Sequence, residues 1–124
     1  MSATPPAEIH ELFQAAFNAR DLQAVLDLYE PDAVFVSGPG TFAIGRDAIS
    51  ELFQAFFSRK PVMRLETASV IQNGDLALLQ GKWVLIGAGA EGDPIQVTGT
   101  SHEVVRRQSD GRWLYAIDDP GPGK

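Results

Sequence analysis

Between Asn18 and Ile49 the chain reads NARDLQAVLDLYEPDAVFVSGPGTFAIGRDAI, an order of signals that leaves few folds open. Asp21 is placed to cap a short helix whose Leu22, Val25, Leu26 and Tyr29 share one face, and Pro31 stops it. Ala33 to Val36 is apolar and β-branched enough for a buried strand, and Ser37 to Gly40 reads as a Gly/Pro loop. A further helix begins at Gly45-Arg46-Asp47. Its Ile49, Leu52, Phe53, Phe56 and Phe57 form a wide aromatic stripe that ends before Pro61, so it has to pack on a large apolar surface.

The flanking sequence supplies that surface. Upstream, Ile9, Leu12, Phe13, Ala16 and Phe17 recur at helical spacing after Thr4-Pro5-Pro6, where Thr can cap and Pro suits a first turn. Downstream, Val62 to Gln72 and Leu76 to Ile86 read as strands around Asn73-Gly74, a strong hairpin signal. Ile95 to Gln108 and Trp113 to Asp118 are two more, separated by the turn Ser109-Asp110-Gly111. About three helices followed by about four antiparallel strands is an α+β order, with the helices gathered on one face of a curved sheet. The 124 residues are expected to form a single domain, 1–124, frayed at 1–6 and 120–124, because halves of such a chain could not bury a stable core.

The net charge of −6 opposes docking on a phosphate backbone, so no nucleic-acid partner is expected. No apolar run is long enough to cross a bilayer and Met1 to Pro6 lacks the features of a secretory signal, so no membrane association and a cytoplasmic location are expected. The absence of cysteine removes thiolate nucleophiles and Cys-based metal sites. His10 and His102 lie on distant elements without metal-ligand spacing, and neither a metal nor another cofactor is expected.

Three segments carry a resemblance: FNARDLQAVLDLYEPDAVFV, GRDAI and EVVRRQSDGRWLYAIDDP. In this order and spacing the chain resembles the nuclear transport factor 2-like superfamily, and within it the SnoaL-like and ketosteroid isomerase-like proteins, over nearly its whole length. The resemblance implies a cystatin-like conical barrel, about three N-terminal helices on a strongly curved, mainly antiparallel sheet, and often a homodimer through the outer sheet face. It does not imply one reaction, since this fold hosts isomerases, dehydratases, epoxide hydrolases, cyclases and noncatalytic binding modules.

Ketosteroid isomerases use a carboxylate base, and a Tyr with a protonated Asp as oxyanion donors. Laid over that pattern, Ser37 stands where the base should be, Phe13 replaces the oxyanion Tyr and Phe53 a supporting Tyr. Tyr29 matches a supporting aromatic, and Glu103 falls close to the donor acid. A serine hydroxyl is a poor base at neutral pH and a Phe ring donates no hydrogen bond, so isomerase chemistry is not carried over.

Gly87 to Gly92 satisfies the GxGxxG pattern, but Asp93-Pro94 leads into a strand rather than a helix, so it reads as a hairpin loop and not a dinucleotide site. Ser37 lies in a Gly/Pro loop without the elbow that exposes a nucleophilic serine. Arg46-Asp47 reads as a helix start, with Arg46 bridging to the preceding loop. His102 and Glu103 are the acid-base candidates, and strand alternation allows only one of them inward. Asp118 and Asp119 also point oppositely, Asp118 toward the rim of the cavity or a helix cap and Asp119 into a turn. The expected ligand wall is Phe13, Phe17, Phe53, Phe57 and Trp83, with Tyr29, Ser37, His102 and Asp118 as its polar members. The leading expectation is an apolar pocket for a small hydrophobic or cyclic molecule. The alternatives are a lyase, isomerase or cyclase on a carbonyl-bearing substrate, and a dimeric interaction module whose cone is filled by Phe side chains.

Overall fold

The computed structural model describes residues 4–88 and 92–122. Its elements run α1 (Glu8–Asn18), α2 (Leu22–Leu26), β1 (Tyr29–Gly38), β2 (Thr41–Ile44), α3 (Arg46–Phe57), β3 (Val62–Asn73), β4 (Leu76–Ala88), β5 (Pro94–Arg107) and β6 (Trp113–Asp119). All six strands form one curved sheet in the order β2-β1-β6-β5-β4-β3. Only β1 and β6 are parallel; the other neighbours are antiparallel.

The expected order of helices then strands is corrected in two places. The expected strand at Ala33 to Val36 lies within the longer β1 and is joined by β2 before α3, so two strands precede that helix and the sheet has six strands in all. Tyr29 and Pro31 belong to β1 and not to the second helix, which ends at Leu26. The cause is local. Arg46 donates from Nε and Nη2 to the Tyr29 carbonyl at 3.0 and 2.6 Å, and the Tyr115 amide donates to the Leu28 carbonyl at 2.7 Å, so the backbone is drawn into the sheet as soon as α2 ends. Ser37 and Gly38 extend β1, and Thr41 to Ile44 folds back on it as β2 across a register shift between Val36 and Gly38.

The helices lie on one side of the sheet, α1 against β3 and α3 against β1 and β2. Asp21 caps α2 through Oδ1 to the Ala24 amide at 3.1 Å. α1 begins without the expected Thr4 cap: Ala7 is its N-cap, and the first amides bond the carbonyls of Pro5 and Pro6. At the other end of α1, Asn18 clamps both backbone groups of Met63 at 2.7 and 2.8 Å, while Gln14 accepts from the Leu65 amide at 2.7 Å. These side chains satisfy part of the open edge of β3, which would otherwise invite another strand.

Phe53 is the centre of the core. Its ring meets those of Phe13, Phe17, Tyr29, Phe35, Phe56 and Phe57 at centroid distances between 5.6 and 6.2 Å. The hairpin loop expected over Gly87 to Gly92 falls partly on residues 89–91, outside the described residues; its flanks, Ala88 and Pro94, are register partners of antiparallel strands. No helix among the described residues is long and apolar enough to cross a membrane.

Candidate functional site

Alternation decides which side chains reach the concave side. Along β5, Ser101, Glu103 and Val105 are buried inward, while His102 and Arg106 are exposed on the outer face. The acid-base candidates are thereby separated: Glu103 is 3% exposed, and His102 points away, with Gln80 3.5 Å from its Nε2. His102 as a catalytic or pocket residue is corrected on this ground. β6 carries a register shift where Val104 faces Ile117 but Val105 faces Tyr115, and this extra residue lets Tyr115 and Asp118 both turn inward although they are three apart. Glu103 and Asp118 are direct register partners on adjacent strands, two carboxyl groups side by side under the helices.

Each acid is held differently. Glu103 Oε2 lies 3.0 Å from His10 Nε2, and the Ser101 hydroxyl donates to Oε1 and Oε2 at 3.1 and 3.2 Å. A carboxylate only accepts, so His10 Nε2 carries the proton, and in a neutral ring Nδ1 accepts from the Thr67 hydroxyl at 2.7 Å. Gly81 makes room for this group: a Cβ there would lie 2.7 Å from Ser101 Oγ and 3.2 Å from His10 Cε1. Asp118 Oδ2 accepts from the Tyr29 hydroxyl at 2.5 Å. Burial first, and the charge of Glu103 second, push the Asp118 carboxyl up to about 8, against the opposing effect of the Tyr29 hydrogen bond. Burial also raises both tyrosines, followed by Asp118 for Tyr29 and by Glu103 for Tyr115.

At neutral pH Asp118 is therefore an acid and not a carboxylate. No buried side-chain nitrogen or oxygen among the described residues lacks a partner. Asp118 Oδ1 and the Tyr115 hydroxyl make no hydrogen bond to the described residues, yet both residues line the cavity, so these atoms are the ones open to it. The raised pKa of Asp118 carries a sign for stability. The folded chain keeps the Asp118 proton up to pH 8 while the unfolded chain releases it near pH 4, so this group makes stability fall as pH rises between those values. The slope is at most about 1.4 kcal/mol per pH unit. Asp118→Asn is expected to flatten that part of the stability curve, measured by urea unfolding from pH 5 to pH 9.

The cavity above these acids has a volume of about 590 Å³. Phe13, Phe17, Phe53 and Trp83 line it, together with Ser37 at the end of β1, Glu103 and Asp118. Phe57 does not: it packs behind Phe17 and Phe53, at centroid distances of 5.3 and 6.0 Å. Tyr29 is not part of the lining either; it is fully buried and reaches the site only through Asp118. Asp118 lies deeper than the expected rim, being 6% exposed, whereas Asp119 takes the expected turn and accepts from the Gly121 amide at 3.0 Å. Trp83 donates to the Pro120 carbonyl at 2.9 Å, which holds the segment from Pro120 to Pro122 along the mouth.

His10 and Tyr115 were not singled out by the sequence. A signal for His10 existed, since it lies three residues before Phe13 and seven before Phe17, in the buried stripe of α1 where an imidazole needs a polar partner. Nothing local marked Glu103 as that partner, 93 residues away.

Comparison with known proteins agrees with this architecture. The chain superposes on a ketosteroid isomerase-like protein from Erwinia carotovora atroseptica with a TM-score of 0.81 and 24% identity, covering 92% of this chain and 90% of the other. A nuclear transport factor 2-like protein with a cystatin-like fold from Novosphingobium aromaticivorans gives 0.75 and 21%, covering 91% and 76%. A protein of unknown function with a cystatin-like fold from Nostoc punctiforme gives 0.75 and 17%, covering 90% and 84%. At these identities the likeness is one of fold. No curated protein matches the chain by sequence. The model of the SnoaL-like domain matches residues 9–116, nearly all of the described elements, and the chain belongs to that family.

Proposed function

We propose that the chain binds a small apolar carbonyl compound in a cone-shaped pocket and moves a proton beside its carbonyl group. The observation that supports this most is the pairing of Glu103 and Asp118 as register partners under an aromatic cavity, with Asp118 held protonated. Two neighbouring carboxyls in unlike surroundings, Glu103 held by an imidazole and Asp118 by a phenol, are suited to base and acid roles. Glu103 would take the proton as the adjacent C–H bond breaks, and the electron pair would move onto the carbonyl oxygen. Asp118 Oδ1–H and the Tyr115 hydroxyl would meet that oxygen, replacing the donor lost at Phe13. Phe13, Phe17, Phe53 and Trp83 would hold the apolar body, with Ser37 at the entrance.

The resemblance of the Erwinia protein to ketosteroid isomerases is compatible with carbonyl chemistry, but the base here would stand on β5 and not at Ser37. The cavity volume weighs against a cone filled by its phenylalanines. A direct test is exchange of the methyl hydrogens of acetophenone in D2O, followed by NMR. The protein is expected to accelerate the exchange, and Glu103→Gln to remove about 10²- to 10⁴-fold of that acceleration. If neither acetophenone nor cyclohexanone exchanges faster with protein than with buffer, the acid-base reading fails.

The same reading includes a homodimer through the outer sheet face. One continuous row of register partners crosses all six strands there: Ile71, Leu78, Val104, Ile117, Val34 and Ile44. Ile71, Leu78, Ile117 and Ile44 are each more than 40% exposed, an apolar band that a second copy meeting its own row would cover. Ile117→Lys is expected to shift the chain from dimer to monomer in light scattering at micromolar concentration. A wild-type chain that is already monomeric would dispose of the dimer.

A further inference from the structure

Resting on the acid-base reading of the cavity, we infer the class of compound it selects: an uncharged ring compound that carries a hydroxyl beside its carbonyl. The cavity leaves few hydrogen-bonding atoms open. Asp118 already uses Oδ2 to accept from Tyr29, and its remaining oxygen faces the cavity as an O–H donor. Glu103 has its two oxygens held by His10 and Ser101, and every lone pair it has left can only accept. The closed end therefore presents one donor and one acceptor on directly facing residues of two strands, with β-carbons about 5 Å apart.

Ligands with a single oxygen function use this pair incompletely. A ketone gives the Asp118 donor an acceptor but brings no donor to the lone pairs of Glu103 that His10 and Ser101 leave free, so only one of the two groups is used. A carboxylic acid in its ionised form brings a second negative charge beside Glu103. No Lys, Arg or His is among the described residues that line the cavity, so nothing there offsets that charge. A hydroxyl on the carbon next to the carbonyl supplies the missing donor at the matching separation, and the Tyr115 hydroxyl, open to the same space, can serve either group. Apart from Ser37, Ser101 and Asp119, the remainder of the wall is aromatic, apolar or backbone, with Phe13, Phe35, Phe53 and Trp83 around a volume suited to a ring.

The test is a set of phenyl compounds of similar size, titrated against the intact protein at pH 6.5 with amide chemical shifts as readout: 2-hydroxy-1-phenylethanone, acetophenone, 1-phenylethanol, benzoate and benzylamine. The hydroxy ketone is expected to bind at least tenfold more tightly than acetophenone or 1-phenylethanol, with benzoate showing no binding. Glu103→Gln is expected to reduce the advantage of the hydroxy ketone over acetophenone, while Asp118→Leu weakens both ketones. If folding of either variant is in doubt, the wild-type ranking alone decides. Equal binding of the hydroxy ketone and acetophenone overturns the two-point selection while leaving the acid-base reading intact. Benzylamine or benzoate as the tightest ligand overturns it as well, the first by marking a cation pocket. Absence of binding by all five overturns both the selection and the reading on which it rests.

Discussion

Replacing His10 by leucine is expected to lower the unfolding free energy by about 3 to 5 kcal/mol, because it strands Glu103 in the interior without its main partner. His10 and Glu103 are both nearly inaccessible, at 1% and 3% exposure, so the carboxylate is poorly solvated once the imidazole is gone. The Ser101 hydroxyl remains, but one neutral donor does not hold a buried charge as the imidazole does. The effect should be strongly non-additive. In the double variant His10→Leu, Glu103→Leu no charge is left to strand, and most of the lost stability is expected to return. Urea unfolding of the wild type, both single variants and the double variant completes the cycle. If His10→Leu costs less than about 1 kcal/mol, the pair is not what secures α1 to the sheet at this point.

Phe53→Ala is expected to be as damaging, for the opposite kind of reason. Phe53 carries no polar role, yet its ring touches six others and is 1% exposed. Truncation removes apolar burial and leaves a void among stiff aromatic neighbours that cannot collapse around it, a loss of about 3 to 5 kcal/mol. Because Phe53 also lines the cavity, the void would open into it. Stability should therefore fall, in urea midpoint, while larger ring compounds gain room to bind. Phe53→Leu, which fills more of the space, should recover part of the stability.

Legibility in the sequence followed the range of the interactions. α1, α3 and the β3–β4 hairpin were readable because helical stripes and the Asn73-Gly74 turn act within a few residues. Tyr29 was misplaced because the apolar face of a five-residue helix points the same way as the first residue of the strand after it, and what pulls Tyr29 into the sheet comes from Arg46 and Tyr115. β2 was missed because Thr41 to Ile44 is too short to show alternation beyond the Gly/Pro loop. At the site, period two correctly forced a choice between His102 and Glu103 but could not make it. The bulge at β6 that turns Tyr115 and Asp118 to the same side leaves no mark in a single sequence.

The parallel pairing of β1 with β6 also governs how this chain can be assembled. β2 and β1 form one hairpin, and β3, β4 and β5 a second unit; β6 is the only strand hydrogen-bonded to both. The two units can each begin to form early, but they are joined only when a segment more than 80 residues from Tyr29 arrives between them. Contacts of such long sequence separation form late and slow the overall rate. Asp118 rides on that joining strand and Tyr29 begins the other, so their hydrogen bond ties the closure of the sheet to the chemistry of the pocket.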